Sequence, residues 1–482
     1  MNNKRTRGEN KVTRKPQGKK DFSKRPAVAE APFQYQLHLS FRRPPPAKQV
    51  SRSLNVDEKL REILARDLTF KGEKTRYATH HLHAFPAKFP PQLPRVFIEA
   101  LTNPGECVLD PMAGSGTTLV EALLHNRNAI GVDLDPLAIQ VAKAKTTPLS
   151  IPRCAESGVD VVHRATALLK SRRGRSLSDV YPPDAVKFFQ YWFDGHVISE
   201  LHALVQAIRA VENPDIRCFL EVVFSSIIIT KSGGLSRARD LAHSRPHRDL
   251  NKQIKQSALD AFSSRLHAAI DALAAMADVQ ARSTVLLADA RNLPLENNSV
   301  DMIVTSPPYA ANAIDYMRAH KFSLMWLGYE PTKLTQLRST YIGAEARFPD
   351  AAFASPTANG IIQELNALDK NRASVVAFYY RDLETILKEM LRVLREGRAA
   401  VLVVGSSIIR GIDIKVPTVL AELADHAGFR VAGVAKREIL RDARMMPVSH
   451  KTTKNGIEAR MHEEGIVGAV KPPHGKSRRA DT

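Results

Sequence analysis

Two stretches of this 482-residue chain carry groups whose types and spacing could do chemistry. The first is Asp110-Pro111-Met112-Ala113-Gly114-Ser115-Gly116-Thr117-Thr118. The apolar pair Val108-Leu109 before it reads as a buried strand, and Leu119 to Leu124 after it as a helix. A strand, a tight glycine turn and a helix N-terminus make a pocket at the carboxyl edge of a parallel sheet, where backbone can approach a ligand closely. Asp110 puts a negative charge where a cationic ligand group could sit. Alone, such a loop is more often a plain strand-to-helix turn. Its company raises it: Gly131-Val132-Asp133 ends the next apolar run about 20 residues on, where an acidic side chain can grip ribose hydroxyls.

The second stretch is Thr305-Ser306-Pro307-Pro308-Tyr309, which follows the apolar run Val300 to Val304 and so hangs over the same sheet edge. Two successive prolines fix φ and push the residue before them toward extended geometry. The carbonyls of Ser306 and Pro307 are thereby turned outward as acceptors that no helix or sheet consumes. Ser306 adds a side-chain acceptor, and Tyr309 a flat face. Such a cradle suits a planar ring with an exocyclic amine. That nitrogen's lone pair is delocalised into the ring, and bonds from its N–H groups to fixed oxygens favour the pyramidal, nucleophilic form. Stacking on Tyr309 would hold a base taken out of its duplex. The competing reading is a turn with a core tyrosine.

The elements that must position these residues follow in order. An opening β-α-β-α is read from Val108-Leu109, Thr117 to His125, Ala129 to Val132 and Pro136 to Lys145, the start of a doubly wound sheet. Strand patterns resume at Val285-Leu286-Leu287 and Val300 to Val304. After them come a helix from Ala313 to Leu327, a long helix from Val375 to Leu394, and a strand–helix–strand over Ala399 to Val404, Val416 to His426 and Phe429 to Ala435. Between the two halves, residues 148–282 are dominated by helical patterns joined by glycine-and-basic segments. They read as an inserted helical subdomain in an α/β fold. The expected division is therefore a disordered basic tail over 1–54, a sheet domain over 55–147 and 283–445, the insertion over 148–282, and a basic C-terminal segment over 446–482. Region 336–371 reads as a loop.

Composition narrows the partner. The net charge is +20, and thirteen Lys and Arg stand against three acidic residues before Val50. That balance favours a polyanion, nucleic acid before membrane. No apolar run approaches the roughly 20 residues that span a bilayer. No secretory h-region is visible. The three cysteines, Cys107, Cys154 and Cys218, are too scattered for a zinc site or a disulfide framework, so a cytoplasmic, nucleoid-associated protein is expected. His80, His81 and His83 lack a completing carboxylate or thiol pattern, and no metal is expected.

These residues resemble a known family, the S-adenosylmethionine-dependent DNA methyltransferases that act on exocyclic amino groups. Asp110 to Thr118 is similar to the family's cofactor loop, Ser306-Pro307-Pro308-Tyr309 to its catalytic tetrapeptide, and His83 to Pro91 to the segment over the cofactor's methionine end. The resemblance implies a Rossmann-like methyltransferase sheet and S-adenosylmethionine as cofactor. Phe85, Pro86, Lys88, Ala113, Gly114, Ser115, Gly116 and Thr117 would line the cofactor site, with Asp110 on the ammonium, Asp133 on the ribose and Asp289 on the adenine amine. Ser306, Pro307, Pro308 and Tyr309 would hold the target amine. Serine in first place leans toward N4 of cytosine rather than N6 of adenine.

The cofactor motif precedes the catalytic one here, whereas many relatives run the reverse order, and this leaves two places for target recognition. Residues 148–282 come first, with Arg237, Arg239, Arg245 and Arg248 as DNA contacts; 335–372 come second. The implied substrate is double-stranded DNA, in restriction–modification or phage defence, with a cognate restriction endonuclease as partner. Rival readings are an RNA guanine-N2 methyltransferase and a non-catalytic DNA-binding protein.

Overall fold

Helix α1 (Val56–Leu64) opens the described chain, capped by Asn55 in a reciprocal box with Glu58. The structure, a computed structural model, describes residues 55–86, 88–171, 175–230, 234–238, 255–308, 316–342, 352–439 and 463–473. The expected basic tail, 1–54, lies outside them. After α1 come α2 (Gln92–Leu101), β1 (Cys107–Asp110), α3 (Thr117–Leu124), β2 (Asn128–Asp133) and α4 (Pro136–Thr146). Asp135 caps α4, with Pro136 at its first turn.

Among the described residues, six α-helices then separate α4 from the next strand. They are α5 (Ile151–Ser171), α6 (Leu177–Val180), α7 (Pro183–Trp192), α8 (Gly195–Arg209), α9 (Pro214–Ile228) and α10 (Ala258–Leu273). The sheet resumes with β3 (Ser283–Leu287) and β4 (Val300–Thr305), followed by α11 (Tyr316–Trp326), α12 (Pro331–Arg338), α13 (Pro356–Leu368) and α14 (Lys370–Val393). The chain continues through β5 (Leu394–Gly405), a small hairpin of β6 (Ile408–Ile409) and β7 (Ile412–Asp413), then α15 (Val416–Ala427), β8 (Arg430–Glu438) and β9 (Glu463–Val470).

Seven strands form one sheet in the order β3-β2-β1-β4-β5-β9-β8. Only β9 runs against its neighbours. Alternate residues of the central strands enter opposite cores. Val108, Met302, Val304, Val401 and Val403 pack with α1, α2 and α3, whereas Leu109, Ile303, Leu402 and Val404 pack with α13, α14 and α15. This is a doubly wound, Rossmann-like α/β sheet with helices on both faces.

Two expectations are corrected. The sheet does not end at 445: β9, in the segment read as a basic extension, is buried between β5 and β8. Its glycines are demanded by close approach, since a Cβ on Gly468 would lie 2.7 Å from the Leu64 side chain, and one on Gly465 2.5 Å from Pro417. Region 336–371 is not all loop, because α12 and α13 occupy part of it. The helices of 148–282, read as an inserted subdomain, share their core with elements of the sheet domain. Phe189 of α7 stacks on Trp326 of α11 at 3.8 Å between ring centroids, and Tyr181 Oη donates to the Trp326 carbonyl at 2.8 Å. They share one apolar cluster with Leu137 and Val141 of α4. Among the described residues, no helix is long and apolar enough to cross a membrane.

Candidate functional site

β1 and β4 are parallel neighbours, with Leu109 opposite Ile303, so the glycine loop and the Ser-Pro-Pro segment leave the sheet side by side. Thr305 Oγ1 donates to Asp110 Oδ1 at 2.7 Å, and Thr118 Oγ1 to the Val304 carbonyl at 3.3 Å. Residues nearly two hundred positions apart thus share a rim. Below it lies a cavity of about 460 Å³ whose wall includes Asp110, Gly114, Asp133, Ser306 and Pro308. That volume is within the range of small-molecule sites.

The loop is shaped by backbone that needs glycine. Gly114 (φ +49°) presents its N–H to Asp133 Oδ2 at 2.8 Å, and a Cβ there would come 3.2 Å from the Phe85 ring. Gly116 (φ +76°) lies against Ala142, which a Cβ would approach to 3.1 Å. The other Asp133 oxygen accepts from Asp135 N at 2.8 Å. Burial first, and the neighbouring Asp135 charge second, push the Asp133 carboxyl up to about 7; burial pushes Asp110 up to about 6. Among the described residues no cationic side chain is hydrogen-bonded to either carboxylate. Ser115 Oγ is buried on the same wall with no partner among the described residues.

The His-Pro-rich segment closes one side. Phe85 is 8% exposed and packs on His320 and Tyr316, with ring centroids 4.9 and 5.9 Å apart. Lys88 Nζ donates to the carbonyls of His80 and His83, at 2.9 and 3.3 Å, which folds the segment back on itself. The three histidines do not converge: His80 Nε2 meets Glu121 at 2.6 Å, and His83 Nε2 meets Ser225 Oγ at 2.8 Å. Burial alone would raise the Glu121 carboxyl, yet hydrogen bonds from His125, His80 and Tyr77 bring it down to about 2.

Phe85, Pro86, Lys88, Asp110, Ala113, Gly114, Ser115, Thr117, Asp133, Ser306 and Pro308 all border the cavity. Gly116 and Pro307 stand behind its wall rather than on it. Asp289 stands beside the cavity with a partner of its own. Ala288 and Ala290 face the cavity, but the Asp289 carboxylate is gripped by Arg291, with Nη2 2.7 Å and Nε 2.9–3.0 Å away. Arg237 is likewise engaged, its Nη2 and Nε 2.5 and 3.1 Å from Asp194. Tyr309, Arg239, Arg245 and Arg248 lie outside the described residues.

Region 335–372, expected as a second place for target recognition, instead supplies Thr335, Arg338, Ser339, Tyr341 and Ile342 to the cavity wall, from α12 and the turn after it. Sequence reasoning missed Asp135. Its Oδ1 accepts from Leu137 N and Ala138 N, at 2.8 and 3.3 Å, and its Oδ2 from His320 Nδ1 and Tyr341 Oη, at 2.7 and 2.9 Å. Burial would raise this carboxyl, but the His320 charge and these bonds hold it below the usual range. Only the capping role was readable, from Asp135-Pro136 at a helix start.

Comparison with known proteins places these features in context. Residues 6–144 match a family model described as DNA methylase, a span that holds the glycine loop but not the Ser-Pro-Pro segment. The chain is similar to Type II methyltransferase M.MvaI of Kocuria varians, 26% identical over 379 residues that cover 74% of this chain and 83% of that one. It is also similar to Type II methyltransferase M.BsoBI of Geobacillus stearothermophilus, 21% identical over 445 residues covering 80% and 86%. A shorter stretch is 33% identical over 108 residues to Type II methyltransferase M.MjaII of Methanocaldococcus jannaschii, covering 22% and 20%.

Proposed function

We propose that this chain, a member of the S-adenosylmethionine-dependent DNA amino-methyltransferases, methylates the N4 amine of a cytosine extruded from duplex DNA, in restriction–modification or phage defence. The observation that carries this reading is the single cavity walled by both Asp110 and Ser306, with Thr305 Oγ1 2.7 Å from Asp110 Oδ1 at their junction. S-adenosylmethionine fits the cavity's chemistry. Its ammonium would answer the buried Asp110 carboxylate, and its ribose hydroxyls would meet the half-buried Asp133 carboxylate at the end of β2.

Bound there, the cofactor supplies an electrophilic methyl group. The protein's part is positional. Ser306, the carbonyls fixed by Pro307 and Pro308, and Tyr309 would hold the exocyclic amine in line with that methyl, and Phe85 would help exclude water. The proton leaves after attack, so no general base is required. Serine at position 306 favours cytosine over adenine. The test is expression in a methylation-free host followed by modification-sensitive sequencing of its DNA, with N4-methylcytosine at one recurrent motif expected. N6-methyladenine instead would reassign the base; unmodified DNA from an active preparation would reject the DNA reading. Working on the chromosome beside a cognate endonuclease, the enzyme would be cytoplasmic and nucleoid-associated.

The insertion is proposed to meet the duplex. Tyr191 is 56% exposed and stands edge-on to Trp192 at 5.0 Å. Lys321 Nζ lies 5.3 Å over the Phe188 ring, and Arg237 Nη1 donates to the Tyr191 carbonyl at 3.4 Å. Aromatic and cationic groups thus share one surface, and α11 carries both Lys321 on that surface and Tyr316 on the cavity wall. In sequence, Arg239, Arg245 and Arg248 follow Arg237 closely. Replacing Tyr191 and Lys321 together by alanine is expected to raise KM for DNA about tenfold and shallow its salt dependence by about one unit of slope, with cofactor affinity retained. An unchanged KM for DNA would move recognition elsewhere.

A further inference from the structure

Asp135 does more than cap α4. One of its oxygens, Oδ2, accepts from two elements that both reach the cavity: α11 through His320 Nδ1 at 2.7 Å, and the turn after α12 through Tyr341 Oη at 2.9 Å. Asp135 and His320 are buried, His320 wholly so, and Tyr341 is half-buried. A second fastening lies on the same turn. Arg291 Nη2 donates to the Thr340 carbonyl at 2.7 Å while the same guanidinium holds Asp289 and, through Nη1 at 3.0 Å, Asp382. The outer cavity wall is therefore pinned to the ends of β2 and β3.

The other element sharing Asp135 carries the target side of the site. The chain leaves the cavity wall at Pro308 and is back on it at Tyr316, the first residue of α11. α11 thus places Tyr316 on the cavity wall and Lys321 on the surface proposed to meet DNA. His320 fastens α11 to Asp135, and Phe85 packs against both His320 and Tyr316. Displacing either α11 or the wall leaves a buried carboxylate oxygen with half its donors, which is costly where no water can replace them.

We propose that Asp135, His320 and Tyr341 form a positioning unit that ties the cofactor cavity's outer wall to the helix following the catalytic cradle, so that cofactor and target DNA bind cooperatively. A filled cavity supports the wall at Tyr341 and Ile342; the wall holds Asp135 Oδ2 in place; Asp135 holds α11 and, with it, Tyr316 at the cavity and Lys321 on the surface proposed to meet DNA. Coupling of this kind is reciprocal, so DNA tightens the cofactor by the factor with which the cofactor tightens DNA. The inference rests on the methyltransferase reading above.

The test is titration calorimetry with S-adenosylhomocysteine, alone and with a duplex carrying the motif mapped by sequencing. Wild type is expected to bind the nucleoside about tenfold more tightly with the duplex present. Tyr341→Phe keeps the ring and loses the hydroxyl. It should bind S-adenosylhomocysteine about tenfold more weakly without DNA and lose the DNA-dependent gain. KM for both substrates should rise about tenfold, with kcat falling less than threefold. His320→Asn, which keeps an N–H donor near the Nδ1 position, should retain more of the coupling than His320→Leu. A coupling factor near one in wild type, or one unchanged in Tyr341→Phe, overturns the proposal although wild type still methylates DNA. Failure of the methyltransferase reading looks different: wild type then leaves DNA unmodified, and normal cofactor affinity of Tyr341→Phe without DNA would still overturn the wall's role.

Discussion

Replacing Ser306 or Tyr309 by alanine is expected to cut the single-turnover rate of methyl transfer by two to three orders of magnitude, with S-adenosylmethionine bound within about threefold of wild type. The exocyclic amine is a poor nucleophile because its lone pair is shared with the ring. Its reactivity depends on acceptors that hold both N–H bonds while nitrogen pyramidalises in line with the methyl group. Ser306 borders the cavity at the carboxyl end of β4, and two prolines stiffen the segment after it, so an alanine there removes an acceptor without loosening the loop. Tyr309 would act differently, by stacking on a base that has left its duplex partners. Single-turnover kinetics beside equilibrium dialysis of the cofactor separate rate from binding. Wild-type rates in both variants would remove the catalytic assignment.

The second large effect lies on the cofactor. Asp133→Ala should weaken S-adenosylmethionine binding about a hundredfold, since it deletes a charged acceptor and leaves the Gly114 N–H without its 2.8 Å partner. pH dependence gives an independent reading. In the ligand-free protein the Asp133 carboxyl titrates at about 7 and the Asp110 carboxyl at about 6, whereas the ligand calls for both as carboxylates. Binding then expels the protons these groups carry. The dissociation constant should rise about tenfold per pH unit below pH 7, more steeply below 6, and level off above about 8. Asp133→Asn removes the upper break and keeps an acceptor for Gly114. Stability follows the same sign rule. Both folded-state values lie above the unfolded ones, so the stability these groups contribute is present in acid and lost as pH rises through 6 and 7, until the cofactor supplies its cation. Affinity that is flat from about pH 5.5 to 8.5 would show that neither carboxylate meets the ligand.

The residues that made the site legible are those whose meaning is local. A strand ending in Asp110, glycines at Gly114 and Gly116, and a helix from Thr117 declare their geometry within ten residues, because positive φ and helix nucleation are short-range matters. Pro307-Pro308 likewise stiffens its own neighbourhood wherever the chain takes it. Apolar runs in β1, β2 and β4, buried on both faces, announced a parallel sheet, and the glycine loop before the Ser-Pro-Pro segment announced a cofactor site beside a target site.

Other features were decided only by tertiary contact. β9 reads poorly as a strand because its two glycines are there for α1 and α15, elements roughly 400 and 50 residues away that sequence patterning cannot see. Asp289, expected at the adenine amine, is held by Arg291 two residues on, a guanidinium that Asp382 and the Thr340 carbonyl anchor from across the fold. Arg237, expected to contact DNA, pairs with Asp194, 43 residues earlier, a partner its own neighbourhood does not announce. The fastening of the outer wall was invisible for the same reason, since Tyr341 meets Asp135 across 206 positions and His320 across 185. By itself the sequence determined which chemistry is possible, through backbone conformations and donor types that belong to single turns. The fold decided which acids remain open to a ligand, because a charged side chain takes whichever partner the packed chain brings within 3 Å, and that partner is set by the whole core rather than by its neighbours in sequence.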